Sequence, residues 1–250
     1  MATLDAFVDR KKPLPESIAT SQEIRDRSST FTGNIFRATT PAEAQKAVTH
    51  LRRVVHGSKP ASHEIAAWRC MVLKPGKTGL SSDDDFEVQE GSDDDQESWA
   101  GSRVLKVMQA EAVIDAVVIV SRWYGGVMLG PIRFTHIETC AREVCRAFRL
   151  KDEVEDCLST LNTLDDILTD LRAELSRLRA LATPVTAGPS NDSSTEGVQL
   201  PARTTKKKQD YSGLLKDLDA AKAKRLVTAR ENAIKSVKAS ITKAKTDAGL

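Results

Sequence analysis

One stretch decides how this chain folds: Ala116-Val117-Val118-Ile119-Val120-Ser121-Arg122-Trp123-Tyr124-Gly125-Gly126-Val127-Met128-Leu129-Gly130-Pro131. Its first half is an unbroken β-branched run from Val117 to Val120, which is typical of a strand that is covered on both faces. Three glycines follow, as a backbone that needs positive φ or a close approach requires. Pro131 suits the first position of a helix, because its missing N–H would have no intrahelical partner there.

The residues after Pro131 predict a helix. Apolar side chains recur at spacings of three and four residues and form one face, made of Phe134, Ile137, Ala141, Val144 and Phe148. Strand, glycine turn and helix are therefore expected to pack as one unit.

The residues upstream predict further strands and helices. Glu23 to Ala38 predicts a hairpin or two short strands, and Ser62 to Leu73 a second long strand. Thr40-Pro41-Ala42-Glu43 predicts a helix start, with a hydroxyl cap followed by proline. Ala100 to Ala112 predicts a short helix. This alternation of strands and helices indicates an α+β two-layer sandwich over residues 23–150, preceded by an N-terminal arm of residues 1–22.

Residues 74–98 predict a long acidic loop. Nine carboxylates fall within residues 83–97. Such a run repels itself and stays solvated.

The last hundred residues have a different character. Leucines sustain a heptad pattern over residues 151–182, which predicts a coiled-coil helix with the seam Val154, Cys157, Leu161, Leu164, Leu168, Leu171, Leu175 and Leu178. The seam would either pair with a second copy, as a homodimer through 154–178, or pack back on the domain. Residues 183–205 predict a flexible linker, and residues 206–250 a basic amphipathic helix.

Charge separates these segments. Residues 1–150 hold 20 basic and 20 acidic side chains, residues 151–182 hold 4 and 8, and residues 183–250 hold 13 and 7. The C-terminal helix therefore predicts binding to a partner helix, an acidic surface or nucleic acid. Its candidate contact residues are Lys206, Lys207, Lys208, Lys222, Lys224, Arg225 and Arg230.

Composition favours a cytoplasmic protein. The four cysteines form no Cys-x-x-Cys pair, so reduced thiols are expected. The first residues, Met1-Ala2-Thr3-Leu4-Asp5, do not resemble a secretory signal. No apolar run reaches the length of about 18 residues that a membrane helix needs.

The glycine turn also resembles the signature of the IMPACT/YigZ family. The matching residues are Arg122-Trp123-Tyr124-Gly125-Gly126 and Leu129-Gly130. The continuation Pro131-Ile132-Arg133-Phe134-Thr135-His136-Ile137 resembles the eukaryotic, IMPACT-like branch. The acidic motif Asp94-Asp95-Gln96-Glu97 is similar to the family's Asp-Asp-Gly-Glu motif, with Gln96 in place of glycine. The resemblance covers about residues 23–148.

The resemblance implies a fold and a function. The fold is like domain 2 of a small-subunit ribosomal protein. The implied function is non-enzymatic, cytosolic regulation of translation during amino-acid starvation. Such a protein competes for the large ribosome-associated activator of the kinase that phosphorylates an initiation factor, and it is also associated with actin. The resemblance further implies an RWD-type N-terminal domain, which residues 1–22 are too few to form.

Two motifs have alternative interpretations. The turn formed by Arg122, Trp123, Tyr124, Gly125, Gly126, Leu129 and Gly130 would bind a phosphate or RNA backbone, or it would simply let the strand turn tightly onto its helix. Asp94, Asp95 and Glu97 would hold magnesium or act as an acid/base pair in a hydrolase, or they would cap the next helix. We find no other catalytic constellation and no cofactor motif. Regulation of translation is therefore the first functional hypothesis, a nucleic-acid- or ribosome-binding module is the second, and a hydrolase is the third.

Overall fold

The computed structural model describes residues 14–80, 82–182 and 210–247. It divides the chain into two compact units, Met1–Arg149 and Leu150–Leu250. The predicted linker 183–205 lies outside the described residues.

The first unit is built on one antiparallel sheet. Its strands are β1 (Ala19–Thr20), β2 (Ile24–Asp26), β3 (Ser29–Arg37), β4 (His63–Leu73), β5 (Phe86–Asp93) and β6 (Ala116–Trp123). The sheet order is β1-β3-β6-β4-β5, and β2 also pairs with β3. The helices of this unit are α1 (Pro41–His50), which continues as a π-helical turn over Leu51–Val55, α2 (Ala100–Ala110) and the first part of α3 (Ile132–Ala182).

The central strand β6 is buried on both faces, as its β-branched run predicts. Val118 and Val120 face α2 and α3, while Val117 and Ile119 face α1. Fully burying a side chain of this size contributes about 1.5–3 kcal/mol. The α+β class is confirmed, and α1 adds a smaller layer of its own on the second face of the sheet.

Local signals set two of the early elements. Arg27 and Ser28 have φ of 44° and 66°, which makes the β2–β3 connection a two-residue turn whose twist suits a hairpin. Thr40 caps α1, since its Oγ1 accepts a hydrogen bond from the N–H of Glu43 at 3.2 Å. Both agree with the sequence.

Two stretches differ from the sequence-based expectation. The acidic loop 74–98 contains a strand, β5, which pairs with β4 at the edge of the sheet. Main-chain hydrogen bonds hold β5, so its acidic side chains can remain in water and no alternating pattern marks the strand. The N-terminal arm also contributes to the sheet, because β1 lies within residues 1–22 and pairs with β3.

The second unit is a helical hairpin. It comprises the rest of α3 together with α4 (Ser212–Asp217) and α5 (Ala220–Asp247). Leu218, with φ of 48°, interrupts the single basic helix that was expected. Among the described residues, none of the helices is both apolar enough and long enough to span a membrane.

The heptad seam of α3 is covered by α4 and α5 of the same chain. Val154 and Leu161 pack in one cluster with Leu214 and Ala223, and Leu175 packs farther along in another. Within one chain the seam therefore has a partner helix, and a homodimer through 154–178 stays a prediction. An intramolecular partner helix buries the same leucines without the concentration-dependent cost of association.

Candidate functional site

The glycine turn and the acidic motif meet at one cavity of about 320 Å³. It is lined by His63, Gln96, Glu97, Arg122, Tyr124, Met128, Leu129, Gly130 and Arg133. Two stretches that are separate in sequence therefore form a single candidate site.

Four elements position the charged residues of this cavity. Arg122 lies near the end of β6 and pairs across the sheet with His63, the first residue of β4. Glu97 lies in the turn before α2, and Arg133 lies in the first turn of α3.

Glu97 is the centre of the cluster. Its carboxylate accepts hydrogen bonds from Arg122 Nη1 and from Arg133 Nε, the latter at 2.6 Å, and His63 Nε2 lies 3.8 Å away. The side chains of Arg122 and Glu97 are only 6% and 7% exposed. Because this pair is shielded from water, the charge of each side chain is stabilised chiefly by the opposite charge of its partner.

Arg122 has further contacts that fix its position. Its guanidinium lies 5.5 Å from the ring centroid of Phe31 and 5.6 Å from that of Tyr124, within the range of cation–π attraction. Its Nε is buried and has no hydrogen-bond partner among the described residues. Arg122 is thus a neutralised, enclosed cation rather than a free anion-binding group.

The backbone N–H groups of the glycine turn also donate hydrogen bonds to other residues of the protein. The N–H of Tyr124 donates to Ser62 Oγ at 3.0 Å, and that of Gly125 donates to Ser29 Oγ at 3.3 Å. A Cβ at Gly125 would overlap the backbone of Ser28, so the glycine allows close approach to the β2–β3 turn. These contacts favour the tight-turn interpretation over the anion site.

Gly126 and Gly130 contribute backbone conformations that other residues rarely adopt. Their φ values are 84° and 64°, in the left-handed region. Trp123 is docked as well, because its Nε1 donates to the carbonyl of Lys59 at 3.1 Å. Its indole is therefore held in place rather than free to stack on a base.

Asp94 caps α2. Its Oδ1 accepts a hydrogen bond from the N–H of Gly101 at 2.7 Å, and its Oδ2 accepts one from the N–H of Trp99 at 2.9 Å. A carboxylate at a helix N-terminus is stabilised by the unpaired N–H groups there. This is the capping role that the sequence offered as the alternative to a metal site.

Asp95 has a third, separate set of partners. Its Oδ2 accepts a hydrogen bond from the N–H of Glu64 at 2.7 Å and pairs with Arg52 at 3.1 Å. Gln96, where the family motif has glycine, keeps a left-handed φ of 69°. For a residue with a side chain that conformation costs about 1–2 kcal/mol.

The three acidic residues therefore have separate partners within the protein. Each carboxylate is already bound to different protein donors. Within the described part of the chain, His, Cys, Asp and Glu side chains form no group of three that could hold a metal ion. These contacts favour the capping interpretation for Asp94, and a magnesium or acid/base role for Asp94, Asp95 and Glu97 stays a prediction.

Sequence reasoning missed a second polar cluster, on the α1 side of the sheet. Glu64 is only 2% exposed, and its carboxylate contacts His56 Nδ1 at 2.9 Å and Arg52 Nε at 3.3 Å. A glutamate next to the apolar run Ile65-Ala66-Ala67-Trp68 of the strand His63–Leu73 was the available signal. Arg52 lies on the π-helical turn after α1 and His56 directly follows that turn, which no local pattern predicts.

The cysteines are free thiols. Cys70, Cys140 and Cys145 are buried and Cys157 is partly buried. Burial raises the pKa of Cys70 to about 11 and that of Cys145 to about 12. These buried thiols are suited to packing rather than to nucleophilic chemistry.

The basic residues of the C-terminal helix are only partly available. Lys224 pairs with Glu153, and Arg230 turns inward, where its Nε lies 2.5 Å from Asp165 Oδ1. Lys222 and Arg225 remain exposed. Lys206, Lys207 and Lys208 lie outside the described residues.

The fold and the cavity define a class of protein: an antiparallel α+β domain whose glycine turn and acidic motif are joined by a buried arginine–glutamate pair, followed by a helical hairpin. Residues 27–145 match the family model described as the Impact N-terminal domain. This segment of the chain is therefore a domain of the Impact N-terminal type.

Known relatives agree with this assignment. The chain is 33% identical over 150 residues to Protein IMPACT-B of Xenopus tropicalis, covering 59% of this chain and 42% of the relative. It is 36% identical over 129 residues to the Protein IMPACT homolog of Saccharomyces cerevisiae, covering 51% and 45%. The matched segment thus spans less than half the length of these relatives.

Solved structures include one of the two-domain translational regulator Yih1. It is 32% identical to this chain, the match covers 56% of this chain and 54% of that one, and the TM-score is 0.34. A second structure, of a hypothetical protein, is 20% identical with a TM-score of 0.36, and the match covers 54% of this chain and 60% of that one.

Proposed function

We propose that this chain regulates translation in the cytoplasm during amino-acid starvation, without catalysing a reaction. It binds the large ribosome-associated activator of the kinase that phosphorylates an initiation factor, and so competes with the kinase. The observation that carries the proposal is the match of residues 27–145 to the Impact N-terminal domain, together with the relative described as a translational regulator.

The geometry of the site supports binding over catalysis. Glu97, Asp94 and Asp95 are each engaged by protein donors, so a hydrolase would have to break structural contacts before using them. A competitor instead needs an accessible surface. The cavity rim offers one, because Met128 is 77% exposed and Tyr124 is 44% exposed.

The proposal is tested by recovering the activator from starved cells with the tagged chain and measuring phosphorylation of the initiation factor. We expect recovery that survives RNase, and less phosphorylation as the chain is raised in concentration. Met128→Asp should lower recovery at least tenfold, since one polar group introduced into an apolar contact costs more than about 1.4 kcal/mol. Leu80→Asp is the matched control, because Leu80 is 91% exposed and does not line the cavity.

The basic face of α5 is tested separately. Lys222→Glu with Arg225→Glu should reduce recovery if this helix contacts the activator, whereas Lys46→Glu on α1 should not. Unchanged recovery in both Met128→Asp and the double variant, with intact phosphorylation, would overturn the proposal. Binding to ribosomes and to actin, which the resemblance also implies, is tested on the same recovered material.

The nucleic-acid hypothesis is the alternative outcome. It predicts ribosomal components that disappear with RNase and an affinity that falls steeply with salt. We rank it second, because the Arg122 turn is occupied by Glu97 and two of the basic residues of α5 are engaged within the hairpin.

A further inference from the structure

A groove of about 440 Å³ runs between α2 and the first part of α3, outside the cavity described above. Trp99 lies at this groove, and Lys106 and Arg142 line it. The phenyl ring of Phe134 adjoins both places, since Arg103 of the groove lies 4.6 Å from its centroid and Arg133 of the cavity lies 4.2 Å from it. Neither the resemblance nor the acidic motif assigns a role to this groove.

Trp99 is presented to solvent by a fixed backbone. Its side chain is 75% exposed, and its φ of 71° places it in the left-handed region. For a residue with a side chain this conformation costs about 1–2 kcal/mol. Two hydrogen bonds hold the residue there. Its N–H donates to Asp94 Oδ2 at 2.9 Å, and its carbonyl accepts from Ser102 Oγ at 2.9 Å. An exposed indole on a fixed backbone is the kind of residue that carries binding energy at interfaces.

The groove is basic within a neutral domain. Five cations lie along it and along the adjoining face of α3, against two acids, Glu111 and Glu138. The cations are Arg103, Lys106, Arg142, Arg146 and Arg149. Their sum is +3, whereas residues 1–150 as a whole hold 20 basic and 20 acidic side chains. The positive charge is thus concentrated here.

The pairing pattern keeps these cations oriented. Glu138 holds Arg103 at 2.8 Å, while Glu111 holds Arg146 at 3.1 Å and Arg149 at 3.8 Å. Apolar Val107 and Ala110 line the groove between the charged residues. A mixed apolar and cationic lining complements a segment that carries both acidic and apolar side chains.

We propose that this groove binds an acidic segment of a partner protein, with an apolar side chain of that segment packed against Trp99. Single-stranded nucleic acid fits the lining less well. Such sites stack successive bases on several aromatic side chains, whereas Trp99 is the one aromatic side chain among the residues that line this groove. The inference rests on the proposed function only in assuming that the chain acts by binding protein.

The test uses the full chain and a fluorescein-labelled synthetic peptide in which glutamates flank one phenylalanine. Binding is followed by fluorescence anisotropy, with a second peptide in which glutamines replace the glutamates and with labelled oligouridylate. We expect the acidic peptide to bind best and to weaken as salt is raised. Trp99→Ala, and Lys106→Glu with Arg142→Glu, should each weaken binding about tenfold.

The controls are surface changes away from the groove. Lys46→Glu on α1 and Leu80→Ala should leave peptide affinity unchanged. Trp99→Ala should keep the urea midpoint of the parent within error, because the side chain is exposed, so a loss of binding is not a loss of folding. Equal affinity of the groove variants and the parent, or tighter binding of oligouridylate than of the acidic peptide, would overturn the inference.

The same variants separate this inference from the proposed function. A Trp99→Ala chain that loses the peptide but still recovers the activator and lowers phosphorylation would leave both statements standing, for two different surfaces. Retained peptide binding with no effect on phosphorylation would remove the proposed function alone.

Discussion

Replacing Glu97 with alanine tests the physical basis of the candidate site. The change removes the carboxylate that accepts hydrogen bonds from Arg122 and Arg133. Arg122 cannot recover its hydration, since its side chain is 6% exposed, whereas Arg133 at 25% exposed can reach water. The loss therefore arises chiefly from one buried, unpaired guanidinium.

The expected magnitude follows from that burial. Removing one partner of a buried ion pair lowers the free energy of unfolding by about 3–5 kcal/mol. A domain of this size has a total of about 5–15 kcal/mol, so the variant should unfold at a much lower urea concentration. Glu23→Ala is the matched control, because Glu23 pairs with Arg25 at the surface and such pairs contribute less than about 1 kcal/mol.

The assay is urea unfolding followed by tryptophan fluorescence. All three tryptophans, Trp68, Trp99 and Trp123, lie in the first unit, so the signal reports that unit. A double variant, Glu97→Leu with Arg122→Met, removes both charges and should restore about 2 kcal/mol relative to the sum of the single changes. If the free energy of unfolding of Glu97→Ala lay within about 1 kcal/mol of that of the parent, the reasoning would be refuted, because a buried unpaired charge destabilises a protein by more than that.

Three further predictions follow from individual contacts. Gly125→Ala should destabilise the first unit by about 3 kcal/mol through overlap with the backbone of Ser28, against about 1 kcal/mol for Gly126→Ala, where only the positive φ is violated; urea unfolding distinguishes them. Deleting residues 206–250 should uncover the leucine seam and produce dimers in sedimentation equilibrium, while the full chain remains monomeric; a monomeric truncated chain would contradict the seam assignment. Hydrogen bonds from Arg27 and His136 lower the pKa of Asp26 from 3.8 to about 2. A carboxyl whose pKa is lower in the folded protein than in the unfolded chain stabilises the fold at pH values above its ordinary pKa, and this stabilisation is lost as the pH falls through the folded-state pKa. The difference in stability between the parent and Asp26→Asn should therefore shrink as the pH falls from 3.8 to about 2. A difference that stays constant over this range would be inconsistent with the pairing.

Much of the first unit was predictable from short-range patterns. The β-branched run of β6, the hydroxyl cap and proline of α1, and the apolar spacing at the start of α3 are local signals that the structure confirms. Each depends on propensity or on a capping contact within a few residues, so one sequence suffices to identify it.

The candidate site was predictable only in its parts. The sequence identifies the residues of the glycine turn and of the acidic motif, but it predicts a separate ligand for each motif. The structure joins Arg122 to Glu97, which lies 25 residues earlier in the chain, and this pairing cancels the charges on which both ligand hypotheses relied. A contact between different elements leaves no periodic trace in sequence.

The sequence by itself determined the α+β class, the resemblance of its first part to the IMPACT family and the presence of a heptad seam, because hydrophobic periodicity and turn residues are local properties of the chain. Only the tertiary structure decided that β5 is an edge strand, that Trp68 packs over Gly91, and that α5 covers the seam. These outcomes depend on which surfaces meet. An edge strand needs only main-chain hydrogen-bond partners, so its side chains do not identify it. An apolar stripe can be buried against a second copy or against a helix of its own chain, and the stripe alone does not determine which.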